Sequence, residues 1–292
     1  MYNLLKLTQQ KCRYNIHLFF NFILPSLIFT IIFCPELKAQ GNLLISPHRV
    51  IFEGQKKLMG VTLANTGQDS AKYSISFVHY RMTDDGSYEE ITDPDPGQNF
   101  ADDNIRFFPR TVMLGPNESQ TIRLQLIKLD QMKPGEYRSH LYFRSIPNQS
   151  ALGEENKIKD TTSINIKIVP IFGISIPIIV KVGESTTTLN ITDPKIDTTS
   201  KEGTKLLFTI HRTGNMSSYG DILITHISPN GKETKIGSSV GVAIYTPTIL
   251  QNFKVNLAFT TPLDLKKGKI HILYSTHSES RPEKLAESIL EL

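Results

Sequence analysis

The chain has 292 residues, of which 39% are hydrophobic, and its 32 basic and 28 acidic side chains give a formal net charge of +4. The first 40 residues hold four of the basic side chains and one acidic one, so the other 252 residues carry a net charge of about +1. This balance excludes nucleic-acid binding by bulk charge. Because both cysteines, Cys12 and Cys34, lie in the same 40 residues, the rest of the chain has neither disulfides nor thiolate chemistry.

Residues 1–40 have the layout of a secretory signal peptide. Three basic residues precede an apolar segment at residues 18–33, and a short polar region ends at Ala39-Gln40. This order predicts export and cleavage after Ala39 or Gln40. An uncleaved membrane anchor is the alternative, although polar residues and Pro25 interrupt the apolar segment and make it a poor membrane helix.

Residues 43–146 form a succession of short runs in which apolar and polar residues alternate. In the clearest run, Ile122, Leu124 and Leu126 alternate with polar side chains, as in a half-buried strand. Turn residues separate the runs, and the stretch 84–103, rich in Asp, Glu and Pro, predicts a solvated loop. The predicted strands are residues 43–52, 59–64, 72–82, 106–114, 120–129 and 136–146.

The stretch 161–180 combines an alternating segment with an apolar run. Ile164, Ile166 and Ile168 alternate with polar residues, and a nearly continuous apolar run follows. Pro170 and Pro177 cannot donate ladder hydrogen bonds, which indicates an edge strand that is open to pairing. The alternative, which this stretch favours when taken alone, is a strand buried between two sheets with the prolines at its ends.

A second series of strands follows a predicted boundary at residues 181–185. It comprises residues 187–191, 205–212, 219–227, 233–236, 249–259, 269–275 and 286–292. Strands separated by turns about every dozen residues, without a long helical period, are typical of antiparallel sandwiches. We therefore predict an all-β protein with two β-sandwich domains in tandem, residues 41–181 and 182–292.

The sequence carries no catalytic or metal-binding motif. Its seven histidines after residue 40 are scattered, without an HExxH pattern. The segment Gly173-Ile-Ser175-Ile-Pro177 lacks the second glycine of a nucleophile elbow and lies in a β run. We predict a protein that is not an enzyme and needs no metal, cofactor or small-molecule substrate.

Several segments, taken in order, resemble the PapD-like periplasmic chaperones of fimbrial (chaperone–usher) assembly over nearly all of residues 41–292. They are Ile45-Ser-Pro-His-Arg49-Val-Ile-Phe52-Glu-Gly54, Phe108-Pro-Arg110, Leu114-Gly-Pro-Asn-Glu-Ser-Gln-Thr121-Ile-Arg-Leu124, Gly135-Glu-Tyr-Arg-Ser-His-Leu-Tyr-Phe-Arg-Ser-Ile146-Pro147 and Arg212-Thr-Gly-Asn215-Met-Ser-Ser-Tyr219.

The resemblance implies two immunoglobulin-like sandwiches at an angle, with a pilin-like subunit bound in the cleft. The chaperone lends a strand to the incomplete subunit in the periplasm and delivers it to an outer-membrane usher. By this resemblance Ile164, Ile166 and Ile168 are the donor residues, and stretch 161–180 is an exposed edge strand that pairs with the subunit. Arg49 matches the arginine that anchors the subunit's terminal carboxylate, a role that suits a planar, permanently charged fork. The alternative for Arg49 is an ordinary arginine on an exposed edge.

The chain departs from the family pattern at three places. No lysine follows the donor residues as a second carboxylate anchor, so Lys167 and Arg110 are the candidates for that role. The arginine usual before the last proline of this strand is replaced by Ile176, which puts the family's interdomain salt bridge in doubt. Tyr142 occupies a position that is usually asparagine.

A second class of function stays open at this stage. An exported tandem immunoglobulin-like protein with a structural or adhesive role has the same folds and no subunit client. The sequence also leaves open self-association through the donor edge, and it does not identify the client.

Overall fold

The structure is a computed structural model, and it describes residues 43–147, 171–199, 203–258, 265–278 and 280–292. These residues form 17 strands and two 3-10 helices of three residues each. Within these ranges no helix has the length and apolar character needed to cross a membrane. The predicted signal peptide lies outside the described residues and stays a prediction.

The first ten strands are divided between two sheets. In chain order they are β1 (Leu43–Ser46), β2 (Val50–Phe52), β3 (Leu58–Asn65), β4 (Ala71–Met82), β5 (Tyr88–Ile91), β6 (Ile105–Phe108), β7 (Thr111–Leu114), β8 (Ser119–Leu126), β9 (Gly135–Ile146) and β10 (Gly173–Val182). One sheet has the order β1-β3-β8-β6, and the other has the order β2-β10-β9-β4-β5 with β7 also on β4. The pairs are antiparallel except for β2 with β10.

The core of this first sandwich follows from period-two alternation. On β8, Ile122, Leu124 and Leu126 are buried while the residues between them are exposed, as the sequence predicts. The facing sheet contributes Leu141 and Phe143 to the same core. Each sheet thus buries one apolar face against the other, which is the arrangement of a β-sandwich.

Two predicted strands are each divided at a proline. Residues 43–52 form β1 and β2, which join different sheets on either side of Pro47. Residues 106–114 likewise divide at Pro109 into β6 and β7. Because proline cannot donate a ladder hydrogen bond, the chain leaves one sheet there and continues in the other.

The predicted solvated loop at residues 84–103 is partly wrong. It contains β5, which pairs with the end of β4, and it places Gln98 and Ala101 in the interior. Their polar groups are satisfied there, because Gln98 donates its side-chain N–H to the Tyr80 carbonyl and the Ala101 N–H donates to the Ser139 hydroxyl. A polar composition did not reveal these partners, which lie far away in the sequence.

The last seven strands form the second sandwich. They are β11 (Thr188–Asp197), β12 (Lys205–Thr213), β13 (Ser218–Ile227), β14 (Glu233–Ile244), β15 (Leu250–Asn256), β16 (Lys269–Thr276) and β17 (Lys284–Glu291). Their sheets have the orders β11-β12-β15 and β14-β13-β16-β17, and they enclose a separate hydrophobic core. The predicted fold class is confirmed as all-β, with two immunoglobulin-like sandwiches in tandem.

Strand β10 has features of both predictions for stretch 161–180, the open edge strand and the buried strand. Residues 161–170 of that stretch lie outside the described residues. β10 pairs with β9 along its whole length, whereas β2 covers only Ile178–Val180. The second half of β10 is therefore interior, and in the described part of the chain its first half has a neighbour on one side. Side chains that point to the core become more exposed toward this start, from Ile176 at 3% to Ile174 at 40% and Phe172 at 49%.

Candidate functional site

A cleft of about 470 Å³ lies between the two sandwiches. Strands β2 and β10 line it from the first sandwich, and β13 and β17 line it from the second. Three cations reach it, namely Arg49, Lys181 and Lys284, together with several serine and threonine hydroxyls and one carboxylate, that of Glu136, which is bonded to Ser217. Such a lining suits an anionic group because both charge and hydrogen-bond donors converge there.

Arg49 is brought to the cleft by the register of β2. Val50 and Phe52 are fully buried in the first core, so Arg49 and Ile51 face the opposite way, toward the second sandwich. The centre of the Arg49 guanidinium lies 3.8 Å from the centroid of the Tyr219 ring and 5.3 Å from that of Tyr245.

One hydrogen bond also joins Arg49 to the second sandwich. Its Nη2 donates to the Tyr245 hydroxyl over 2.5 Å. Among the described residues no carboxylate forms an ion pair with Arg49, so its charge is available to a bound anion.

Lys181 and Lys284 are cleft residues that sequence reasoning missed. Lys181 follows Ile179 on the same face of β10, and both line the cleft, so continuing the alternation of β10 could have identified Lys181. Its Nζ lies 3.9 Å from Glu53. Lys284 begins β17 and bonds to the nearby Glu287, and nothing local in the sequence marks it as a cleft residue.

Arg110, a predicted secondary anchor, is exposed and is not among the residues that line the cleft. Its guanidinium packs 4.8 Å from the Phe107 ring centroid, and its carbonyl accepts the N–H of Ile75 near the start of β4. Met82, at the other end of β4, packs at the interface with the second sandwich. Met82 lies seven positions beyond Ile75 on the extended strand, which separates the two residues by about 23 Å.

The other predicted site residues cannot be compared with the structure. Ile164, Ile166, Ile168 and Lys167 lie outside the described residues. Their roles as donors and as a secondary anchor stay predictions.

Glu136 and Arg138 of β9 join the two sandwiches. The Glu136 carboxylate accepts the Ser217 N–H at 2.8 Å and also the Ser217 hydroxyl. Arg138 Nη2 donates to the carbonyls of Tyr80 and Thr246 at 3.3 and 3.2 Å. Burial lowers the pKa of Arg138. These bonds form a polar network that joins the two sandwiches.

The motif at residues 212–219 shapes the loop that leads into β13. Arg212 Nε donates to the Thr248 carbonyl, and its Nη1 donates to the carbonyls of Gly214 and Met216. The Asn215 amide bonds to the chain that enters the second sandwich, accepting the Thr186 N–H. The motif therefore fixes the backbone just before Ser217 and Tyr219, which reach the interface and the cleft.

A buried histidine lies beside this interface. His140 is 5% exposed, and its ring meets the rings of Tyr80 and Tyr88 edge to face. Burial lowers the pKa of His140 to about 3, with further lowering by the positive charge of Arg138 and by His79 and Arg49. The ring is therefore neutral near pH 7.

Solved fimbrial chaperones are similar to this chain, whereas no protein-family model and no curated protein match it. The class 5 fimbriae chaperone CfaA is 15% identical with a TM-score of 0.45, and 86% of this chain and 100% of that chain are covered. The Pseudomonas aeruginosa CupB2 chaperone is 10% identical with a TM-score of 0.40, and coverage is 85% and 100%. A chain of the CsuC–CsuE chaperone–tip adhesion subunit complex of Acinetobacter baumannii is 13% identical with a TM-score of 0.41, and coverage is 73% and 90%.

The protein is thus an all-β chain of two tandem immunoglobulin-like sandwiches, and the solved structures similar to it include chaperones of fimbrial assembly.

Proposed function

We propose that the protein is a periplasmic chaperone that binds pilin-like subunits by donating a strand, stabilises them and delivers them to an outer-membrane usher. In this proposal residues 1–40 are a cleaved signal peptide. Residues 41–181 form the domain that carries the donor strand, and residues 182–292 form the second domain. The protein is not an enzyme and uses no cofactor.

The observation that carries the proposal is the position of Arg49 in the cleft between the sandwiches. Its guanidinium is held by aromatic rings and a hydroxyl, and it has no carboxylate partner among the described residues. A client whose chain ends in this cleft can place its terminal carboxylate on the guanidinium through two parallel hydrogen bonds. Lys181, rather than Arg110, is the cation that we propose as the second anchor.

The start of β10 supports the donation of a strand. Ile171, Phe172 and Ile174 expose 40% or more of their surface although Ile174 and Ile176 share the core-facing side of one strand. The predicted donors Ile164, Ile166 and Ile168 precede this open edge in the chain. An extended partner that pairs here gains main-chain hydrogen bonds from the edge and burial for its apolar side chains.

Native mass spectrometry tests the proposal on protein purified from the periplasm of its own host, under conditions in which fimbriae are made. We expect a stoichiometric small partner with the wild-type chain, loss of that partner with Arg49→Ala, and retention with the matched control Arg110→Ala. A partner lost only with Arg110→Ala contradicts the cleft anchor. No partner in any preparation favours an exported structural or adhesive protein, and a homodimer alone favours self-association through the edge.

A second test addresses the donor strand. Ile166→Asp is expected to abolish client binding while the chain stays folded, because a charge cannot enter the apolar groove of a client. Circular dichroism checks the fold of the variant. Unfolding of this variant supports instead a strand that is buried in the chain's own core.

A further inference from the structure

We propose that Tyr219 and Tyr245, which we call the tyrosine pair, position Arg49 for carboxylate binding, so that the second sandwich prepares the anchor of the first. This inference rests on the proposed function, which assigns carboxylate binding to Arg49. Both tyrosines belong to the second sandwich, and both contact the Arg49 guanidinium. They are positioning residues, because they act on a client through Arg49.

The contact with Tyr219 leaves the hydrogen-bonding edge of Arg49 open. A guanidinium centre 3.8 Å from a ring centroid lies over the face of the ring. The N–H donors of a guanidinium point outward in its plane, so stacking on its face occupies none of them. Tyr245 takes one donor, on Nη2. Of the five N–H groups of an arginine, enough remain for the two parallel bonds that a carboxylate forms.

The chemistry of the tyrosine pair also preserves the charge of Arg49. An acidic partner in the same place would neutralise the guanidinium and compete with the client's carboxylate. Tyr245 is 2% exposed, and burial raises its pKa, so it stays a neutral phenol. A neutral hydroxyl and a ring face can fix the direction of the guanidinium without cancelling its charge.

The tyrosine pair is held in turn by the first sandwich. Glu136 bonds to Ser217, two residues before Tyr219. Arg138 bonds to the carbonyl of Thr246, next to Tyr245, and its guanidinium lies 4.2 Å from the Tyr245 ring centroid. The Thr246 N–H also donates to the Ser217 hydroxyl, which joins the two tyrosine-bearing segments to each other. Arg49 therefore depends on the docking of the sandwiches.

Holding Arg49 before the client arrives favours binding, because an arginine side chain otherwise loses much rotational freedom when it engages a partner. Nuclear magnetic resonance relaxation of the Arg49 Nε–Hε group measures this order directly, without a client. The experiment uses the whole exported chain, residues 41–292, with Arg49→Lys to assign the signal. Tyr219→Phe keeps the ring, Tyr219→Leu removes it, and Tyr245→Phe removes the hydroxyl.

We expect an order parameter for Arg49 above about 0.6 in the wild type and in Tyr219→Phe, and a clear decrease in Tyr219→Leu and Tyr245→Phe. Backbone spectra remote from the cleft check that each variant is folded. An Arg49 side chain that is equally mobile in the wild type and in Tyr219→Leu overturns the inference. Tyr219→Phe keeps the ring face and loses only the hydroxyl. If Arg49 stays ordered in Tyr219→Phe but not in Tyr219→Leu, the loss of order comes from the missing ring and not from general damage to the fold.

Peptide binding separates this inference from the proposed function. The probe is acetyl-Thr-Val-Thr-Val-Thr-Phe with either a free carboxylate or a terminal amide. We expect the wild type to prefer the free carboxylate, and we expect Tyr219→Leu to reduce that preference about fivefold. If Arg49 is ordered as expected but the two peptides bind equally, the tyrosine pair is supported and the proposed anchoring is contradicted. If the peptides differ but all variants bind alike, anchoring is supported and the role of the tyrosine pair is overturned.

Discussion

The carboxylate of Glu136 and the backbone N–H of Ser217 lie 2.8 Å apart and join the two sandwiches. Glu136 is 2% exposed and also accepts the hydroxyls of Ser217 and Thr246, so three donors of the second sandwich satisfy an acid of the first. Hydrogen bonds to a buried charge are stronger than neutral ones. The sandwiches belong to one compact unit, Leu43–Leu292, and this bond lies beside the cleft that holds Arg49.

Glu136→Gln is expected to destabilise the protein by about 2 kcal/mol, because the charged acceptor is lost and one of its two accepting oxygens is replaced by an N–H₂ group that cannot accept a hydrogen bond. Urea unfolding of the whole chain measures the change in the free energy of unfolding. The matched control Glu233→Gln changes an exposed acid on β14 and is expected to alter it by less than about 0.5 kcal/mol. Equal effects of the two variants would show that the Glu136 bonds contribute nothing to docking.

The start of β10 is expected to tolerate a charge that its middle cannot tolerate. Ile174 and Ile176 point to the same face, but they are 40% and 3% exposed. Ile176→Asp buries a carboxylate without a partner and is expected to cost more than about 4 kcal/mol, which leaves little folded protein. Ile174→Asp is expected to cost about 1 kcal/mol or less and to weaken client capture. Thermal unfolding and native mass spectrometry measure these outcomes, and a folded Ile176→Asp contradicts the assigned burial.

The two cleft lysines are expected to differ in their effect on carboxylate binding. The Lys181 side chain is 27% exposed, and its partner Glu53 is 3.9 Å away, whereas the Lys284 side chain is 58% exposed and bonds closely to Glu287. A less exposed charge is screened less by water and salt. Lys181→Met should therefore weaken binding of the free-carboxylate peptide about tenfold, and Lys284→Met less than about threefold.

Isothermal titration calorimetry at low and high salt measures both lysine variants. Amidated peptide is the control, since its affinity should not depend on either lysine. If Lys284→Met weakens binding of the free-carboxylate peptide more than Lys181→Met does, the second carboxylate anchor lies in the second sandwich.

Acid is expected to destabilise the protein through His140. Its pKa is lowered to about 3 in the folded chain, against 6.5 as the ordinary value. Below pH 6.5 the unfolded chain therefore binds a proton that the folded chain does not, and stability falls as the pH falls toward the folded pKa. Between pH 6.5 and 4.5 this amounts to about 2 to 3 kcal/mol.

Urea unfolding across this pH range checks the prediction. His140→Gln should flatten the pH dependence, whereas the control His48→Gln, at an exposed position, should keep the wild-type slope. An unchanged slope in His140→Gln would mean that other groups cause the loss of stability in acid.

The strands were largely predictable because their signal is local. The alternation of Ile122, Leu124 and Leu126 specifies a half-buried strand from adjacent residues alone. The prediction was weaker where distant partners decide the outcome, as for β5 in the polar stretch, and for β14, which extends to Ile244 rather than ending near residue 236. Pairing with β13 along its length holds the polar part of β14 in the sheet.

The candidate site was predictable only in part. Arg49 was predicted from a motif that resembles that of a known family, and the residue lines the cleft. Arg110 bonds near the start of β4, whereas Met82 at the other end of β4 packs at the interface, and Arg110 does not line the cleft. Lys181 was missed because the predicted binding residues lie at the start of the apolar stretch 161–180, whereas Lys181 lies near the end of β10.

By itself, the sequence determined the all-β class, the two series of strands and the lack of cysteine chemistry after residue 40, because composition and period-two alternation need no distant contact. Only the tertiary structure decided which strands share a sheet and which residues surround Arg49. Arg49 and Tyr245 are 196 positions apart and meet because two separately cored sandwiches dock through β9. No local pattern encodes that contact, since it depends on the relative placement of two folded surfaces.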